Sequence, residues 1–294
     1  MSQPLFNKLA LIGIGLIGSS IARVARQNNL AGTISAATRR KETADEARAL
    51  NIVDEIGTDN AAAVRDADFV ILCTPVGANA EAMAQIAPHL KKGAIVSDVG
   101  SVKQAVIRDV GPLIPEGVHF VPAHPVAGTE HSGPGAGFPE LFDGRWCIVT
   151  PIPGSDRAAV DKVIEFWRRC GSDMEEMSAD HHDKILAITS HLPHLIAYTI
   201  VGTATDLQDD IKSEVIKFAA GGFRDFTRIA ASDPTMWRDV FLNNKEAVLE
   251  MLGRLSEDLA FLQRAIRWGE GDKLFELFER TRAIRRALID AKQA

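Results

Sequence analysis

Two short clusters carry the residue types that could do chemistry. His124-Pro125-Val126-Ala127-Gly128 sets an imidazole beside proline and small residues, which predicts a rigid turn with backbone close to a ligand. Asp98-Val99-Gly100-Ser101-Val102-Lys103 lies about one strand–helix unit earlier and adds a carboxylate, a hydroxyl and an ammonium. Histidine titrates near neutrality, so His124 suits the acceptance of a hydroxyl proton while hydride leaves the attached carbon. A turn histidine hydrogen-bonded to backbone is the structural alternative.

The elements that must position these clusters follow from the apolar pattern. Strands are predicted at Leu9–Ile14, Thr33–Thr38, Phe69–Cys73, Ala94–Ser97 and His119–Val121. Helices are predicted over Ser19–Gln27, Lys41–Leu50, Asn79–Leu90 and Gln104–Leu113. This alternation specifies an α/β fold with a doubly wound, mostly parallel sheet of Rossmann type. Trp146–Thr150 reads as a further strand, Arg157–Cys170 as a helix and Met174–Met177 as a short strand.

From Ser178 the strand patterns stop. The expected division is a dinucleotide-binding domain, 1–177, and an all-helical domain, 178–294, broken near Gly221-Gly222, Asp233-Pro234 and Gly269-Glu270-Gly271. Asp233-Pro234 signals a helix start, and the helix is expected to continue to about Trp268, a length suited to a dimer core.

Gly13-Ile14-Gly15-Leu16-Ile17-Gly18 follows a strand and opens a helix, the context in which this glycine spacing binds a dinucleotide pyrophosphate. Cofactor choice is read at the end of the second strand, where a carboxylate would hold the ribose of NAD. Here stand Thr38-Arg39-Arg40, whose hydroxyl and guanidiniums suit a 2′-phosphate and favour NADP over NAD. The alternative is that both arginines merely solvate the next helix.

The net charge of −6 argues against a nucleic-acid surface, and no Lys/Arg block stands out. Three cysteines, Cys73, Cys147 and Cys170, without a CxxC, fit a reducing compartment and give no metal-site spacing. The N-terminus lacks signal-peptide character, and no uninterrupted apolar segment approaches the roughly 20 residues that span a bilayer, so a cytoplasmic location is expected.

Taken in order, the glycine fingerprint, Asp98–Lys103 and the His124 motif resemble the prephenate/arogenate dehydrogenases, whose broad-specificity members are cyclohexadienyl dehydrogenases. The resemblance continues through Ser190-His191-Leu192-Pro193-His194, Gly222–Arg228 and Asp233-Pro234-Thr235-Met236-Trp237, nearly the whole chain. It implies oxidative decarboxylation of a cyclohexadienol: hydride leaves the ring carbon bearing the hydroxyl, carbon dioxide departs, and the ring becomes aromatic.

By resemblance His124 is the base, and Ser101 bridges it, the substrate hydroxyl and the nicotinamide. Thr74 joins the cofactor residues. Arg228 anchors a carboxylate, with Arg224 as the alternative, while His182, His191, His194, Thr129 and Glu130 line the pocket. Trp237 matches a tryptophan supplied by the partner of a homodimer. Asp98 and Lys103 form an internal ion pair or act directly. Relative to larger members, neither an N-terminal mutase-like extension nor a C-terminal regulatory domain is expected.

Two other readings are a β-hydroxyacid dehydrogenase, which uses a helix lysine in its second domain, and a dinucleotide-sensing regulator without catalysis.

Overall fold

Residues 3–206, 217–218 and 221–290 are described by a computed structural model. Six parallel strands, β1 (Phe6–Ile12), β2 (Ala31–Ala37), β3 (Glu55–Gly57), β4 (Phe69–Leu72), β5 (Ile95–Asp98) and β6 (His119–Phe120), form one sheet in the order β3-β2-β1-β4-β5-β6. Alternate side chains feed opposite layers. Leu9, Leu11, Phe69 and Ile71 belong to one apolar core, and Ala10, Ile12, Val70 and Leu72 to the other. Both faces are therefore buried, as a parallel sheet requires. Helices α1 (Leu16–Gln27), α2 (Lys41–Ala49), α3 (Asn60–Val64), α4 (Asn79–Ile86) and α5 (Lys103–Val110) follow successive strands. The strand order reverses between β1 and β4, which opens a crevice at their carboxyl ends.

A second sheet joins β7 (Ala123–Pro125), β8 (Trp146–Val149) and β9 (Asp173–Glu176), with α6 (Arg157–Arg169) between β8 and β9. His124 is thus a strand residue, paired antiparallel with Ile148, and not the turn residue expected. Pro125 disguised the strand. As β7 is the edge of its sheet, a residue without an N–H is tolerated there.

The helical segment comprises α7 (Ala179–Leu186), a π-helical turn (Ala187–His191), α8 (Leu192–Thr205), α9 (Gly221–Thr227), α10 (Pro234–Asn243), α11 (Lys245–Arg267) and α12 (Gly271–Asp290). Residues 207–216, 219–220 and 291–294 of the expected helical domain lie outside the described residues. Asp233 caps α10 by accepting from Met236 N at 2.9 Å. The expected run from there to Trp268 is broken at Asn244, whose backbone leaves the helical region at φ −107° and ψ 37°.

The run Ala179–Thr205 is long and apolar enough to cross a membrane by length and mean composition alone, but it is not an uninterrupted apolar segment, since Asp180, Asp183, Lys184 and four histidines fall within it. Its first turns, however, carry His182 and Asp183, both buried within the protein.

The chain divides into two compact units, Met1–Lys245 and Glu246–Ala294. In the second, Leu259, Phe261, Ile266, Trp268, Phe275 and Phe278 are exposed apolar side chains.

Candidate active site

The turn from β1 into α1 is shaped for a pyrophosphate. Gly13 has φ +103°, and a Cβ there would lie 2.6 Å from the Cys73 carbonyl oxygen. A Cβ on Gly18 would meet the Gly13 carbonyl at 2.3 Å, so both positions require glycine. Above Gly15 there is open space, with nothing within 4 Å. Helix α1 starts without a side-chain cap or an acidic residue in its first turn, leaving its N–H groups and positive dipole end for an anion. Leu16 and Ile17 turn their side chains to the core, so only their backbone is available to a ligand.

At the end of β2, Thr38 is half-buried and Arg39 and Arg40 are exposed. Thr74, after β4, donates to Asn79 Oδ1 at 2.6 Å. These residues fit a dinucleotide laid across the carboxyl ends of β1, β2 and β4.

Beyond β5 an ion pair locks the second cluster. Asp98 and Lys103 are both fully buried and bonded to each other. Lys103 Nζ also donates to Ala123 O at 2.7 Å, and Asp98 accepts from Ala123 N at 3.3 Å and from Gly100 N at 2.7 Å. The pair therefore grips both backbone polar groups of the residue that precedes His124. Of the two roles expected for it, the internal ion pair is the one observed.

His124 is itself buried, 7% exposed. Its Nδ1 lies 2.8 Å from His182 Nε2, and His182 Nδ1 lies 2.7 Å from Asp183 Oδ1. Asp183 also accepts from Lys103 N at 2.7 Å and Gln104 N at 2.9 Å, capping α5, which has only Val102 at its own N-cap. Ser101 is half-buried, and among the described residues its hydroxyl makes no hydrogen bond to His124. His182 is not the pocket wall expected; it stands behind His124, with no exposed surface.

His191 and His194 pack against Trp237. Asn244 Nδ2 donates to the Asp183 carbonyl at 2.8 Å and faces His191 Nδ1 at 3.0 Å. An amide N–H beside Nδ1 makes that nitrogen the acceptor, so His191 carries its proton on Nε2. Among the described residues His191 Nε2 and Trp237 Nε1 are buried N–H donors without a hydrogen bond of normal geometry, and His191 lies against the Ser101 backbone. His194 Nδ1 donates to Ser190 O at 2.9 Å, and its ring stacks on Trp237 at 3.5 Å between centroids. Trp237 packs within its own chain, in one core with Val76 and Val240.

Arg228 Nη1 reaches Glu130 Oε2 at 3.0 Å, and Thr129 accepts from His131 N at 3.2 Å. Arg224 is exposed, and none of the ion pairs among the described residues joins it to Asp225.

Burial, reinforced by His182, Lys103 and His191, holds His124 well below the ordinary imidazole range. Burial also lowers His182, against the opposing pull of Asp183, and brings His191 down to about 4. These rings are neutral in the folded protein at neutral pH. In the unfolded chain they take up protons near the ordinary value of 6.5. Their contribution is therefore complete above about pH 6.5 and is lost as pH falls toward the folded values.

Denaturant unfolding at a series of pH values is expected to show stability declining from about pH 6.5 to 5, where carboxylates still stay ionised. The slope is about 1.4 kcal/mol per pH unit for each histidine kept neutral. A flat or rising profile in that window would contradict the neutral cluster.

Asp183 and Asn244 were not legible in the sequence. Asp183 had one signal, its place beside His182 in a helix, but nothing local tells that it caps α5 some 80 residues earlier. Asn244 sits where the pattern reads as continuous helix.

Among known proteins, the family described as prephenate dehydrogenase, nucleotide-binding domain, matches residues 21–176, and prephenate dehydrogenase, dimerization domain, matches 178–280. A cyclohexadienyl dehydrogenase of Zymomonas mobilis is 42% identical, covering 97% of this chain and 97% of its own. The crystal structure of prephenate dehydrogenase from A. aeolicus, in complex with hydroxyphenyl propionate and NAD+, superposes with a TM-score of 0.89 at 33% identity, over 98% of this chain and 99% of that one. Synechocystis arogenate dehydrogenase gives a TM-score of 0.78 at 27% identity, over 95% and 99%.

Proposed function

The chain belongs to the prephenate dehydrogenase family, and we propose that it oxidatively decarboxylates both prephenate and arogenate, with His124 as base and NADP+ as the favoured hydride acceptor. The observation that carries this reading is the grouping of a buried neutral imidazole with two buried N–H donors, His191 Nε2 and Trp237 Nε1, and the Arg228 guanidinium beside His194. The substrate offers one hydroxyl and carboxylates, which match a base on one side and donors on the other. The β-hydroxyacid alternative needs a helix lysine in the second domain, and the chemistry gathered around His124 is of another kind. A regulator without catalysis gives this grouping no purpose.

The nicotinamide, when bound, supplies the acceptor for hydride. His124 Nε2 takes the ring hydroxyl proton, which raises electron density on the carbon that gives up hydride. The ring carboxylate leaves as carbon dioxide, its bonding pair completes the aromatic ring, and the phenolic oxygen regains the proton from His124. Ser101, in the loop between β5 and α5, holds the hydroxyl toward the crevice.

Arg228 anchors a carboxylate once it exchanges Glu130 for substrate, and His191 Nε2 and Trp237 Nε1 donate to the side chain's oxygens. His194 and Thr129 wall the pocket. The working boundary lies between 177 and 178, the chain functions as a homodimer through its helical segment, and the enzyme is placed in the cytoplasm. The two family matches meet at that boundary, and the second is described as a dimerization domain.

The test is a comparison of kcat/KM for prephenate and arogenate, each with NAD+ and NADP+. Turnover of both acids is expected, with NADP+ the better cofactor. Silence in all four combinations would overturn the reading. Replacing Arg39 and Arg40 together by glutamine should weaken NADP+ binding by roughly 10–100-fold, the loss of one or two charge-assisted hydrogen bonds. NAD+ binding should stay within about threefold, and equal losses would defeat the 2′-phosphate assignment.

A further inference from the structure

We infer that His182 and Asp183 are positioning residues that fix the tautomer of His124, leaving its Nε2 bare as the proton acceptor. The inference rests on His124 being the base and follows from counting donors. Asp183 Oδ1 accepts from Lys103 N and Oδ2 from Gln104 N, so both carboxylate oxygens act as acceptors. His182 Nδ1, 2.7 Å from Oδ1, must then carry a proton and donate it. Burial disfavours a second proton on that ring, so His182 Nε2 is a lone pair.

The 2.8 Å contact from His182 Nε2 to His124 Nδ1 needs a proton between them, and only His124 can provide it. A neutral His124 protonated at Nδ1 has its lone pair at Nε2. Among the described residues Nε2 has no partner, and it is not among the atoms sealed from solvent. The backbone of α5 thus orients a carboxylate, the carboxylate an imidazole, and that imidazole the base. When His124 becomes cationic, the same chain places the Asp183 charge behind it. An orienting carboxylate directly on a histidine base is worth about 10⁴-fold in kcat in the serine-protease triad. With one more ring interposed, the expected share is smaller.

The experiment compares His182→Gln, His182→Leu and Asp183→Asn with the unaltered protein, by ¹⁵N NMR of the histidine rings without substrate and by steady-state kinetics with prephenate. Unaltered His124 is expected as the Nδ1–H tautomer. His182→Leu and Asp183→Asn should move it toward Nε2–H and cut kcat roughly 10²–10³-fold, with KM within about threefold. His182→Gln offers an amide oxygen to Nδ1–H, so the tautomer should persist and kcat should recover to within about tenfold.

Leucine and glutamine have similar bulk, so equal kcat losses for the two would mean packing alone and would overturn the inference. An Nε2–H tautomer in the unaltered protein would overturn it as well. Both His182 variants leave the Asp183 cap in place, which keeps the test open if Asp183→Asn does not fold. The tautomer reading needs no turnover, so it separates failure of the relay from failure of the proposed reaction.

Discussion

His124→Asn is expected to lower kcat for prephenate by roughly 10³-fold, within the range of a lost general base, while KM and cofactor affinity stay within about threefold. Asparagine can still donate to His182 Nε2 across the space of the 2.8 Å contact, so the cluster keeps its form. It cannot take a proton. Because burial and the neighbouring His182, Lys103 and His191 hold His124 well below its ordinary range, the unaltered enzyme stays competent as pH falls through 6, and its acid limb lies lower than a free imidazole would place it. The variant should have no such limb. Steady-state pH profiles of both proteins check this. Near-normal kcat in the variant would remove His124 from the role of base, whatever the fold.

Lys103→Met is expected to cost about 3–5 kcal/mol of stability, the usual penalty for leaving one member of a buried pair uncompensated. Asp98 would remain fully buried without its cation, and the Ala123 carbonyl would lose its donor at 2.7 Å. For a unit of this size the loss corresponds to roughly 6–20 °C in the unfolding midpoint. Adding Asp98→Asn should restore part of it, because a neutral amide still accepts from Gly100 N without a stranded charge. Thermal unfolding of the three proteins decides the matter. A midpoint for Lys103→Met within about 2 °C of the unaltered protein would mean that the pair does not hold β7. A single-variant defect confined to kcat would point instead to a direct role in catalysis.

The legible and illegible parts of the chain divide along a physical line. Apolar runs such as Phe69–Leu72 are buried on both faces, and their period and spacing announced the parallel sheet and its order of elements. The three-residue β3 and five-residue α3 are too short to set a period, whatever their composition. The glycine fingerprint was readable because each glycine answers a local demand, as the positive φ of Gly13 illustrates.

The candidate site was readable residue by residue but not as a network. His124, His191 and Trp237 were expected near the substrate. Their actual neighbours are set by long-range packing: His182 meets His124 across 58 positions, and Asn244 meets His191 across 53. Asn244 also shows how a helix break serves the site. Where α10 ends, the Asn244 side-chain amide bonds both the Asp183 carbonyl and the His191 ring, and the hydrophobic pattern passes straight through it. Trp237 belongs to the same network, with its ring stacked on His194 across 43 positions.

On the proposed reading this chain makes a phenol by removing hydride and carbon dioxide from one substrate molecule, with a neutral His124 as base. The most direct measurement incubates the purified enzyme with prephenate and NADP+ or NAD+, and follows reduced cofactor, carbon dioxide and 4-hydroxyphenylpyruvate together. Equal amounts of all three are predicted, and His124→Asn should suppress all three in parallel. Cofactor reduction without carbon dioxide, or no reduction with either cofactor, would contradict this reaction.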